Sequence, residues 1–208
     1  MNYFPKLLKD YFKKNLGLYM LVSFIFIIGV VTGSISVNLM PENQMKDILS
    51  FINSFLANVN NVSVESSEIF VVSLSNNLKT SLLLGVLGFT VIGFPLILAL
   101  IFLRGYILGF TVGFFIGGLG ARGLLLSILS ILPQNMIIIP SIISIAVAGT
   151  IFSATVLKNR KVLYAEGYSH LIISYVLYNL MFSVLLVFSS LIEGYISPTF
   201  IKLLTHYI

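Results

Sequence analysis

The sequence predicts an all-α, polytopic integral membrane protein with about five transmembrane helices. Of its 208 residues, 58% are hydrophobic and only 9% are charged, whereas a soluble domain carries roughly a quarter charged residues. Several apolar stretches reach the length of about 20 residues at which a helix crosses a bilayer. No alternating segments typical of a membrane barrel are visible. The absence of cysteine excludes disulfides and thiolate metal sites.

Apolar runs between polar or charged flanks define the predicted spans of a single membrane domain. The third predicted span begins directly after Arg104, which we place at a helix junction on the inner side. The stretch from 120 to 132 is too short to cross alone, so it extends the third helix, re-enters the membrane or lies flat. The five predicted spans are 16–39, 81–103, 105–119, 136–157 and 171–192.

The distribution of basic residues predicts that the N-terminus lies inside and the C-terminus outside. Lysine and arginine are concentrated in the N-terminal segment and in "KNRK" at 158–161, both of which this orientation places inside. The net charge of +5 therefore reflects topology. We expect contact with the lipid bilayer and no nucleic-acid partner, because no dense basic stripe lies outside these flanks.

Residues 40–80 form the predicted extracytoplasmic segment, which contains an amphipathic helix. In "QMKDILSFINSFLA", apolar residues including Ile48, Ile52 and Phe55 recur at i, i+3, i+4 and i+7. This outward helix either lies on the membrane surface or offers a docking face to a partner or a second copy.

Glycines recur at every fourth position in the third predicted span and at the same spacing in the first. Such a glycine zipper lets helix backbones approach closely in lipid, where no hydrophobic force drives helices together. The ridge either packs helices within one subunit or forms the seam of a homodimer. Its members are Gly29, Gly33, Gly105, Gly109, Gly113 and Gly117.

We find no residue set that predicts catalysis. In the predicted spans no acidic or basic residue is central, and Asn179 is the best internal hydrogen-bonding side chain, which we expect to tie helices together. No nucleophile–base set, carboxylate pair or metal-ligand spacing is present, so we expect neither an enzyme nor a cofactor or metal. A transporter or channel subunit is the alternative, because glycine-rich and proline-broken helices also build gated pathways.

The segment "LPQNMIIIP" at 132–140 predicts a helix break near the outer surface. Gln134 and Asn135 would bond the backbone groups that Pro133 frees, Asn135 would cap the fourth helix, and Pro140 would lie in its first turns. The segment is either a simple turn or a rigid surface element that another protein recognises. The full set of candidate partner contacts is Ile48, Ile52, Phe55, Pro133, Gln134, Asn135, Glu193, Tyr195 and Pro198.

Five stretches together resemble the stage II sporulation protein M family, in the branch from endospore-forming bacteria. They are "NNLK" at 76–79, "GFPLIL" at 93–98, "RGYILGFTVGF" at 104–114, "LPQN" at 132–135 and "GYISPTFIK" at 194–202. The wider family has a Pro-His-Gly block followed by a glutamate. Here Gln134 and Asn135 replace the His-Gly pair, and Ile138 stands where the glutamate would be. No acid–base role of the wider family can therefore be carried over.

The resemblance implies a non-catalytic membrane scaffold of sporulation. Such a protein lies in the mother-cell membrane at the engulfing septum and holds stage II sporulation proteins D and P in one complex. Protein D is a lytic transglycosylase and protein P an amidase and endopeptidase, which remodel septal peptidoglycan during forespore engulfment. A scaffold of this kind raises the effective concentration of its partners without chemistry of its own.

Overall fold

The computed structural model describes residues 10–58, 66–90, 92–158 and 168–201, and within these ranges the chain forms helices and no strand. Five helical segments are long and apolar enough to cross a membrane, which confirms the predicted fold class. The inside and outside ends stay a prediction. The elements are α1 (Leu16–Asn38), α2 (Glu42–Asn58), α3 (Ser66–Gly88), α4 (Gly93–Leu119), α5 (Ala121–Leu126), the π-helical turn π1 (Ser127–Ile131), α6 (Leu132–Lys158), α7 (Tyr168–Leu191) and the π-helical turn π2 (Ile192–Ile196).

The predicted boundary between the second and third spans is wrong. The chain turns between α3 and α4, and α4 runs uninterrupted through Arg104. Glycine is required at position 93 of this turn, because a Cβ there would overlap the carbonyl oxygen of Leu87. Pro95 then falls in the first turn of α4, where its missing N–H costs least. Residues 66–80 therefore belong to a span, and only the part before Ser66 connects α1 to α3.

The predicted break at Pro133 is also wrong, because α5, π1 and α6 form one continuous span from Ala121 to Leu157. In π1 the N–H of Leu132 donates to the carbonyl oxygen of Ser127, five residues back. The hydrogen-bond register thus shifts immediately before the proline that has no N–H, and the wider turn accommodates it. Pro140 lies well beyond the first turn of α6, contrary to expectation.

Helix α6 is the centre of the bundle. In the most apolar 18 residues of the span Ala121–Leu157, 72% of the residues are buried, against 17–28% in the corresponding parts of the other four spans. Every residue from Ser141 to Thr150 is buried. It packs against α1, α3, α4 and α7. The core residues Leu84, Ile97 and Leu186 meet it from three of these helices. The middle of α6, from Ser141 to Thr150, is therefore inside the molecule and not in lipid.

The glycine seam, which consists of Gly29, Gly33, Gly105, Gly109 and Gly113, joins α1 to α4 within the subunit. A Cβ on Gly29 or Gly33 would overlap carbonyl oxygens of α4, and one on Gly105 or Gly109 would overlap those of α1. Both backbones therefore approach as closely as the absence of side chains allows. These five positions face one another, which leaves none of them free for a second copy. Gly117 lies farther along α4 and packs less closely. A Cβ placed on it would lie 3.8 Å from side-chain atoms of Met45 and Val37.

The predicted amphipathic segment forms α2, which lies beside the end of α4. The side chain of Leu49 packs directly on Gly118, where a Cβ would overlap it. Ile48 is exposed and Ile52 is half-buried, while the side chain of Phe55 lies outside the described residues. On the polar face Lys46 forms an ion pair with Glu42 at 3.7 Å. An apolar contact thus fixes α2 at one end of a span and leaves its polar face exposed.

Candidate functional site

Arg104 lies near the middle of α4. At about 1.5 Å per residue it is about 16 Å from the Gly93 end and about 22 Å from the Leu119 end. The hydrocarbon core of a bilayer is about 30 Å thick, so the guanidinium belongs to the central zone of the membrane. The prediction that no charge is central in a span is therefore wrong. It failed because Arg104 was assigned to a loop.

Helix α3 holds the guanidinium of Arg104 in place. Its Nη2 donates to the carbonyl oxygen of Asn76 at 3.3 Å and to Oγ1 of Thr80. Nε and Nη1 of Arg104 have no hydrogen-bond partner among the described residues, and both atoms remain accessible to solvent. Arg104 also lines a cavity between the helices, which is described below.

Glu193 is the second charge of the site and lies in π2. Its Oε2 accepts a hydrogen bond of 2.6 Å from Oγ of Ser73 on α3. We predicted a partner contact in a tail, but Glu193 is half-buried within the continuous span Ser169–Ile201. Its charge attracts that of Arg104, yet no ion pair joins the two in the described structure. Each charge is held instead by a hydroxyl of α3.

Neutral polar side chains join α3 to α7. Nδ2 of Asn77 donates to Oγ of Ser190 at 3.0 Å, and the hydroxyls of Ser81 and Ser183 lie 2.6 Å apart. Hydrogen bonds between helices stabilise a bundle in lipid, where no water competes for the groups. The α3–α7 contact is therefore polar along several turns.

Gln134 makes the corresponding connection between α6 and the last span. Its Oε1 accepts from Ser197 at 3.0 Å, and its carbonyl oxygen accepts from Ser189 at 3.1 Å. Asn135 donates through Nδ2 to the carbonyl oxygen of Ile131 at 2.7 Å. Gln134 is only 6% exposed, while Pro133 and Asn135 are half-buried, so the predicted surface element is part of a helix whose Gln134 faces the interior. The mistake follows from the missing helix break.

These groups surround a cavity of about 280 Å³ between α3, α4, α6 and π2. At about 30 Å³ per molecule it has room for about nine waters. One cation and one carboxylate face it, together with amides and hydroxyls, so it can hold water, an ion or a small polar group. In the described part of the chain no group of metal-ligating side chains comes together. Its polar lining is Ser73, Asn76, Asn77, Arg104, Thr111, Gln134, Asn135 and Glu193.

The remaining predicted contacts lie at the end of the last span. Tyr195 is 50% exposed, and its ring centroid is 6.2 Å from that of Phe70. Pro198 is half-buried. Residues 202–208 lie outside the described residues. Only Tyr195 of this group presents a large side chain to the surroundings.

Asn179 does not tie helices together as predicted. Its Nδ2 donates to the carbonyl oxygen of Tyr175, one turn earlier in α7, and its Oδ1 is buried without a partner. The tie comes from Tyr175, whose hydroxyl donates to the carbonyl oxygen of Gly85 on α3 at 2.8 Å. The hydroxyls of Tyr19 and Tyr178 make a second tie, between α1 and α7, at 2.8 Å.

The polar residues of α3 escaped the sequence prediction, although their spacing reveals them. Ser73, Asn77 and Ser81 recur every fourth residue and are buried, in line with Leu84 and Gly88. That period places them on one helix face. A polar stripe with helical spacing, followed by an apolar run, indicates a span with an internal polar face.

The comparisons with known proteins give one match. No curated protein and no solved structure matches the chain. The family model described as stage II sporulation protein M matches residues 22–198, a range that includes all five candidate spans in whole or in large part. It also includes both charges of the cavity and the whole glycine seam. The chain therefore belongs to the stage II sporulation protein M family and is a sporulation-related, multi-pass membrane protein.

Proposed function

We propose that this protein is a non-catalytic scaffold that assembles peptidoglycan hydrolases, stage II sporulation proteins D and P, for septal wall remodelling during engulfment. The observation that carries the proposal is α2. Leu49 packs this helix on Gly118 at the end of α4, while the neighbouring apolar side chain of Ile48 stays exposed. A helix beside the membrane that keeps an exposed apolar side chain suits the display of a contact surface better than catalysis.

The scaffold acts in the mother-cell membrane at the engulfing septum. With the N-terminus inside, α2 and the Tyr195 end of the last span both lie outside, on the side of the cell wall. Two hydrolases held there are concentrated beside each other and beside their substrate. The tightly packed glycine seam supports this role, because a platform has to keep its surfaces in a fixed relation.

The test is recovery of the tagged protein in detergent from sporulating cells, followed by mass spectrometry. We expect both hydrolases to be recovered, and at least one to be lost with Ile48→Asp or Tyr195→Ala while the level of the protein is unchanged. Lys46→Ser, on the polar face of α2, is the matched control for Ile48→Asp. Recovery of the intact protein without either hydrolase would overturn the proposal.

A transporter or channel subunit is the second candidate, and one observation favours it. The cavity with Arg104 and Glu193 places charges and room for water near the middle of the bilayer, as ion pathways do. Ion flux in liposomes that hold the purified protein tests this alternative. Flux that Arg104→Leu abolishes would favour transport, whereas no flux above that of empty liposomes would leave the scaffold as the function.

A further inference from the structure

We propose that the membrane-facing side of α3 docks a transmembrane helix of a different protein that carries a carboxylate near its middle. This inference rests on the proposed scaffold function and deepens it, since the docked helix would be the membrane anchor of an assembly partner. The surface is the Lys79 face, which consists of exposed residues spaced i, i+4, i+7, i+11 and i+14: Val72, Asn76, Lys79, Leu83 and Val86.

Lys79 is an exposed cation in the central part of a span. It lies about 20 Å from the Ser66 end of α3 and about 14 Å from the Gly88 end, away from the terminal turns from which lysine usually reaches the interface. Charged side chains at this depth almost always face the interior of the bundle or a water-filled cavity. Within the described part of the chain Lys79 is exposed and does neither. The Lys79 face therefore requires a partner in the membrane that shields its charge from lipid.

The charges around the Lys79 face do not balance. Arg104 bonds to Asn76 and Thr80, which lie three residues before and one residue after Lys79 on α3. The carboxylate bonded to α3 is that of Glu193, which accepts from Ser73. Beyond the first turn of α3, which holds Glu68, the two cations Lys79 and Arg104 thus stand against the one anion of Glu193. Among the described residues Lys79 has no ion-pair partner. One additional carboxylate would neutralise the group, which specifies the chemistry of the occupant.

A second copy of this chain does not supply that carboxylate. Of the seven acidic residues in the sequence, only two lie within candidate spans. Glu68 is in the first turn of α3, and Glu193 is half-buried beside Ser73. Neither offers an exposed carboxylate at the depth of Lys79. The occupant is therefore a chain of different sequence.

The rest of the Lys79 face suits a helix and not a water-filled path. Val72, Leu83 and Val86 are 60%, 46% and 51% exposed, so the two polar residues are flanked by apolar side chains along the helix. An apolar helix packs against such flanks by van der Waals contact, and a polar pair in the middle fixes its register.

The direct test uses synthetic probe helices in phosphatidylcholine vesicles. The probes are leucine–alanine helices of about 20 residues with Asp, Ala or Lys at the centre. The full chain contains no cysteine, so Gly17→Cys, where an added side chain meets no atom within 4 Å, gives one dye position. Association is measured by energy transfer between the dye on the protein and a dye on the probe.

We expect the Asp probe to bind about tenfold more tightly than the Ala probe. Lys79→Leu should remove that preference, and Lys79→Glu should transfer it to the Lys probe. Lys46→Leu, at an exposed lysine outside the spans, is the matched control and should keep the preference for Asp. Equal binding of the Asp and Ala probes, or a preference that persists in Lys79→Leu, would overturn the inference.

A second measurement separates this inference from the proposed function. The recovery experiment is repeated from sporulating cells with Lys79→Leu. Loss of a hydrolase at an unchanged protein level supports both proposals. If both hydrolases are still recovered, the scaffold stands and the docking site is overturned. If the probes discriminate but the unaltered protein recovers no hydrolase, the docking site stands and the assignment of the hydrolases is overturned.

Discussion

The seam between α1 and α4 and the contact of α3 with α7 hold helices together in two different ways. At the seam, glycines bring the two backbones into contact, and hydroxyls such as that of Thr32 bond within their own helix. At the α3–α7 contact, Asn77 and Ser81 bond to side chains of the neighbouring helix. Lipid gives helices no hydrophobic reason to associate, so close approach and hydrogen bonding are the means available. The first makes a rigid dry contact, and the second keeps polar groups near the cavity.

The largest effect is expected at the seam. Gly109→Leu would drive a side chain into the backbone of Val30, so the two helices have to separate. We expect the free energy of unfolding to fall by at least about 3 kcal/mol, measured by denaturant titration of the purified protein in micelles. Gly17→Leu is the control, because its side chain meets open space. Equal stability of the two variants would show that the seam is not a close contact.

A smaller effect is expected at the polar contact. Asn77→Ala removes the donor to Ser190, whose hydroxyl then keeps only its bond to the carbonyl oxygen of Leu186 in its own helix. The cost should be about 1–2 kcal/mol in the same titration. Thr155→Val, which removes an exposed hydroxyl bonded only within its own helix, should cost less than about 0.5 kcal/mol. If both variants cost the same, the bond between helices contributes nothing beyond a bond within one.

The smallest pair of changes separates Tyr175 from Asn179. Tyr175→Phe keeps the ring and removes the bond to Gly85 of α3, which should cost about 1 kcal/mol. The polar contact of Asn179 is with its own helix, and its buried Oδ1 is already unpaired. We therefore expect Asn179→Ser, which retains a donor for that helix, to cost less than Tyr175→Phe. The reverse order would restore Asn179 as the tie between helices.

Much of the architecture could be predicted because lipid imposes a simple rule on composition. The first span, predicted at 16–39, is observed as Leu16–Asn38, and the repeat of glycines identified residues that meet across one seam. Hydropathy could not place Arg104, because a single charge within an apolar run resembles a loop between two spans. For the same reason, the low hydropathy of the α3 segment that contains Ser73 and Asn77 predicted an extramembrane segment. In both places the polar groups are satisfied by other helices, which are distant in sequence.

The prolines show a second limit of sequence prediction. A proline in a regular α-helix removes a hydrogen bond, so Pro133 indicated a break. The π-helical turn before it shifts the register, and no local sequence rule indicates that shift. Because the helix continues, Gln134 points into the bundle. This residue, which was predicted to contact a partner, lines the cavity instead.

The π-helical turn π1 sets which face of α6 meets the last span. A π-helical turn holds one residue more than the α-helix around it would need. Deleting one residue from Ser127–Ile131 would restore a regular helix and rotate Gln134 by about 100° relative to the residues before it. The bond from Ser197 to Gln134 would then be lost. Relatives that lack this residue should therefore have different side chains at both positions, changed as a pair.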